Sequence, residues 1–176
     1  MNNHIKTLER LRACNDAIAW IRSQDNIKTA WNTCHRGDWM LWLASRLSIP
    51  RERLVLAACD CAELSLKHVP ANEDRPRVAI ATARRWAMGQ ETIENAYAAA
   101  DAAYAAAYAA DATYAVYAAA RVAADAVYAA ARAADDSYAA YAAERQAILS
   151  RCADNVRRYI SFSDIETALN NHGATL

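Results

Sequence analysis

Three Gly and three Pro among 176 residues leave the chain with few breaks. So little Gly and Pro excludes a collagen-like or Pro/Gly-rich disordered protein. There is no run of about 18 apolar residues, so no membrane span is expected. The start MNNHIKTLER lacks the short apolar core of a secretion signal, and a cytoplasmic location is expected. Neither sign of charge dominates, with 20 Lys+Arg against 20 Asp+Glu and a pI near 6.9, which disfavours nucleic acid as a partner. G-x-S-x-G, P-loop and H-E-x-x-H motifs are all missing, so neither catalysis nor a cofactor is expected. The five cysteines show no C-x-x-C spacing, which argues against zinc. Cys34 and His35 are adjacent, and neighbours on a helix point about 100° apart, so they cannot form a dyad if that stretch is helical.

What the chain does have is alanine, 45 residues of it. The expectation is an all-α fold: one helical domain over residues 1–176. It would combine a bundle of short helices at 1–90, a long Ala/Tyr-rich segment at 91–160 and a C-terminal helix at 161–176. In the first part, Asn15 and Asn26 are candidate caps, Gly37 ends one segment and Asp38 caps the next. Pro50 and Pro76 open helices, and Gly89 closes one. In the tail, Ser163 and Glu166 have capping-box spacing, giving a final helix over Asp164–Asn170 that ends near Gly173. The halves differ in charge. Residues 1–90 hold 14 Lys+Arg against 9 Asp+Glu (+5), and residues 91–176 hold 6 against 11 (−5).

From Glu91 to about Ile160 there is no Gly or Pro. Alanine has the highest helix propensity, so this stretch should be helical. Fifty-five such residues would extend about 80 Å at 1.5 Å per residue, so the helix either projects or folds back. The candidate breaks are 111–113 and 135–137, where Asp, Ser and Thr compete for backbone hydrogen bonds. Tyr97, Tyr104 and Tyr108 share one stripe, Tyr117 and Tyr128 form a rotated one, and the drift excludes a regular coiled coil. Those tyrosines either pack on the core or meet a partner, including a second copy of the chain.

Two strings gather polar residues among apolar ones. In WNTCHRGDWMLWL, Arg36 and Asp38 sit among Trp31, Trp39 and Trp42; in EDRPR, Glu73, Asp74, Arg75 and Arg77 bracket Pro76. One account is capping, with Asp38 and Asp74 accepting backbone N–H groups and the arginines paired to acids. The other is a site in which Arg36, Arg75 and Arg77 converge on an anion while a tryptophan stacks on a flat ring.

These strings, W-x-x-C-x-R-G-D-W and E-D-R-P-R, together with the Ala/Tyr/Asp tract, make residues 8–145 resemble the Imm-5-like immunity proteins. That family is found beside bacterial polymorphic toxins and in phage genomes. The matching positions are Trp31, Cys34, Arg36, Asp38, Trp39, Glu73, Asp74, Arg75 and Arg77. The resemblance implies neutralisation of a protein toxin or defence effector by binding, without catalysis. Two other expectations stand beside it: a sponge for a nucleotide-derived immune signal, and a structural protein that oligomerises through its Ala/Tyr arm.

Overall fold

A computed structural model describes residues 2–64, 66–69, 71–109 and 138–174. Among these there are nine α-helices, one short 3₁₀ turn at Leu66–His68 and no strand. In chain order the helices are α1 (Asn2–Arg10), α2 (Asn15–Arg22), α3 (Ile27–Thr33), α4 (Gly37–Arg46), α5 (Arg51–Glu63), α6 (Arg75–Ala87), α7 (Ile93–Ala109), α8 (Tyr138–Tyr159) and α9 (Phe162–Ala174). The all-α expectation holds. Both candidate breaks, 111–113 and 135–137, and Tyr117 and Tyr128, lie outside the described residues.

The centre of the bundle is α8, which packs on α4 and α5. Ile148, Leu149, Cys152, Ala153 and Val156 follow helical spacing and are all essentially inaccessible to solvent. The apolar cluster that Ile148, Cys152, Ala153 and Val156 join runs from Ile5 in α1 to Leu169 in α9. The C-terminal half of the Ala-rich segment therefore supplies core to the first 90 residues. Its other arm, α7, lies against α6 and exposes Tyr97.

Some ends follow local chemistry. Asn26 caps α3, its side-chain oxygen accepting the Thr29 N–H at 2.8 Å. Gly89, with φ +71°, closes α6: its N–H donates to Trp86 O and that of Gln90 to Arg85 O, which satisfies two orphan carbonyls.

Other ends differ from expectation. Asn15 is the first residue of α2 and Cys14 holds the cap position. Gly37 begins α4 instead of ending α3. It is selected by packing, because a Cβ there would lie 2.4 Å from Cys152 Cβ and 2.7 Å from the Ala153 backbone nitrogen. Pro50 precedes α5 as its cap, and the helix stops at Glu63. The capping box of α9 is Ser161–Asp164, two residues before the expected pair: the Ser161 N–H donates to Asp164 at 2.8 Å and the Asp164 N–H to Ser161 Oγ at 3.3 Å.

Arg53 of α5 fixes that junction. Its Nε donates to Tyr159 O at 2.6 Å, at the end of α8, and its fork grips Asp164 at 2.9 and 2.5 Å. These bonds, with those from Ser161, hold the Asp164 carboxyl well below the usual carboxylate range.

Candidate binding pocket

Helices α1 to α4 surround a pocket of about 310 Å³. Four indoles line it: Trp20 from α2, Trp31 from α3, and Trp39 and Trp42 from α4. Trp20 and Trp39 meet with centroids 6.3 Å apart and planes tilted 57°, within the range of favourable aromatic pairs. Met40, Leu43 and Ile165 complete apolar walls, and Arg12, Cys14 and Asp38 add the polar groups.

Local sequence explains the wall on α4. Trp39 and Trp42 are three residues apart and fall on one side of the helix. Arg36, just before the helix, folds its guanidinium over the Trp39 ring at 4.2 Å from the centroid. It also forks Asp38, Nε to Oδ1 at 2.9 Å and Nη2 to Oδ2 at 2.6 Å. The Asp38 hydrogen bonds raise the Arg36 pKa, outweighing its partial burial. Asp38 thus clamps Arg36 and does not cap α4.

The C-terminal end of α3 is held from α8. Arg157 donates to Trp31 O at 3.1 Å and also to Cys34 O, supplying a cation where the helix dipole is negative. Cys34 itself is extended, not helical, with His35 exposed beside it. Burial pushes the Cys34 thiol pKa up, and the Arg36 N–H points at its sulfur from 3.4 Å. That is the environment of an inert core thiol. Cys59, packed against Ile80 O, is likewise raised by burial, to about 11. Of the five cysteines only Cys14, on the pocket rim, is exposed.

The second string stands apart. Arg75 grips Glu73 through Nε at 2.7 Å and through Nη2, and its own N–H donates to the same carboxylate at 3.0 Å. Those bonds pull the Glu73 pKa down to about 2. Arg77 lies 3.9 Å from Asp74, whose side chain makes no capping bond. No residue of α6 lines the pocket. Trp31, Asp38 and Trp39 are brought together there, Arg36 backs the wall from outside, and Glu73, Asp74, Arg75 and Arg77 form a separate exposed turn. The three arginines expected to converge are each paired to a nearby acid. Tyr97 is 65% exposed on α7; the side chains of Tyr104 and Tyr108 lie outside the described residues.

Among the described residues no group of three or more His, Cys, Asp or Glu is placed to hold a metal ion. No helix among them is long and apolar enough to cross a membrane.

No family model, curated protein or solved structure matches the chain.

Arg12, Trp20 and Arg157 escaped the sequence reading. Trp20 carried a usable signal, since four of the five tryptophans fall within residues 20–42. Nothing in the string LERLRAC marks Arg12, whose role depends on how α1 ends.

Proposed function

We propose that this protein is a non-enzymatic binding protein of the immunity type, which neutralises a toxin or defence effector by direct binding through its tryptophan-lined pocket. The observation that carries the reading is the chemistry of the pocket walls. They are mostly apolar, their carboxylate is already held by Arg36, and their buried thiol has a raised pKa. Such walls hold an apolar group, and neither the buried Cys34 thiol nor the paired Asp38 carboxylate is set up to transform it. Tryptophan is also among the residue types enriched where partner binding energy concentrates.

The immunity role itself comes from the resemblance of the W-x-x-C-x-R-G-D-W and E-D-R-P-R strings. The sponge reading needs Arg36, Arg75 and Arg77 around one ligand, and their pairing to Asp38, Glu73 and Asp74 favours the protein partner instead. Affinity purification of the tagged protein from its native cell tests the proposal. Recovery of a stoichiometric protein partner, lost with Trp39→Ala, is the expected result. Recovery of no protein above a control bait would contradict it.

A further inference from the structure

We propose that the pocket recognises an aromatic side chain of the partner together with a carboxylate next to it, the ring entering between the tryptophans and the carboxylate meeting Arg12. This rests on the reading that the pocket is the working site.

Size sets the first constraint. A cavity of about 150 Å³ lined by apolar side chains holds one benzene ring. At about 310 Å³, this pocket has room for a two-ring group. Trp20 and Trp39 already adopt a tilted aromatic pair, and an entering ring extends that arrangement.

Charge sets the second. Asp38 is neutralised by the Arg36 fork. Arg12, exposed at the rim, makes no ion pair or side-chain hydrogen bond among the described residues. The pocket therefore carries one uncompensated positive charge beside an apolar interior. A single guanidinium fork matches one carboxylate through two parallel N–H···O bonds, whereas a doubly charged phosphate calls for more donors.

The backbone supplies the third observation. Arg12 has φ +64° just beyond the end of α1, where its N–H donates to Glu9 O and that of Ala13 to Leu8 O, both at 3.0 Å. This is the helix-ending geometry that Gly89 fills at the end of α6. A side chain in this left-handed conformation costs roughly 1 kcal/mol relative to glycine. Arginine gives the turn nothing in return, and among the described residues its guanidinium makes no hydrogen bond, ion pair or cation–π contact that would offset the strain. Its position over the pocket accounts for it.

Isothermal titration of the intact protein with indole-3-propionate, its neutral amide and adenosine monophosphate tests the assignment. The carboxylate should bind at least about tenfold tighter than the amide, and tighter than the nucleotide. Arg12→Gly should erase that preference while unfolding at the same or a higher denaturant concentration, which separates recognition from folding. Equal affinity for acid and amide, tighter binding of the nucleotide, no binding of either indole, or an unchanged preference in Arg12→Gly would each overturn it. The two proposals fail separately. A partner recovered equally by wild type and Arg12→Gly, with no indole bound, sinks only this one; the predicted indole preference without any protein partner sinks only the immunity reading.

Discussion

Helix α4 presents two unlike faces. On one, Gly37 and Ala44, seven residues apart, are buried, and the Gly37 backbone meets α8 at Cys152 and Ala153 so closely that one added carbon would overlap. On the other, Trp39 and Trp42 stay half-buried around about 310 Å³ of empty space. The same helix thus closes one interface and leaves another open, and side-chain size decides which. Small residues let two backbones approach until no void remains. Four rigid indoles cannot interdigitate as tightly, and the space between them is what a partner can fill. The arm α7 shows the limit of the first strategy: ten of its 17 residues are alanine, and each such position favours a helix but offers little area to bury.

The largest effect is expected on the closed face. Gly37→Ala should lower the unfolding free energy by roughly 3 kcal/mol, because the contacting atoms include backbone that cannot rotate away. Urea denaturation measures it, and a loss under about 1 kcal/mol would break the contrast between the faces. Trp42→Phe on the open face should cost only about 1 kcal/mol, since the smaller ring borders existing space. A loss as large as that of Gly37→Ala would mean that the pocket is as tightly packed as the seam.

A comparable but pH-dependent effect belongs to Asp164 at the junction of α8 and α9. Its folded pKa lies below the unfolded value of about 3.9, so its contribution is present above that pH and is lost as pH falls toward the folded value. Because the pair with Arg53 is partly solvent-exposed, about 1 kcal/mol is expected at neutral pH. Asp164→Asn should therefore be less stable than wild type at pH 7 and match it near the acid end of a pH series of melts. A constant difference across the series would assign the loss to geometry instead of charge. The smallest effect is expected at the exposed turn: Arg75→Ala with Arg77→Ala should leave the melting temperature within error. A clear drop there would make that turn part of the scaffold.

Sequence exposed these features unevenly, according to how local each one is. Asn26 and Gly89 were legible because a cap and a left-handed helix end are set within a few residues. Gly37 was misread because its reason lies over a hundred residues away, on α8. The string SFSDIE contains two overlapping capping frames, Ser161–Asp164 and Ser163–Glu166, and only Arg53 from α5 favours the first. In the candidate site, the Trp31–Trp39 string was legible as an aromatic cluster. The convergence of Arg36 with Arg75 and Arg77 was not formed, because each arginine found an acid two or three residues away. Arg12 stayed hidden, since its meaning depends on a positive φ and a neighbouring cavity.

Cys14 gives direct access to the main claim, being the one exposed cysteine and lying on the pocket rim. The native partner should be retained by the Arg75→Ala/Arg77→Ala protein and lost when a bulky maleimide is attached to Cys14 in otherwise unaltered protein. Undiminished capture by the blocked protein, with loss in the double variant, would place the working surface at the exposed turn and contradict the account.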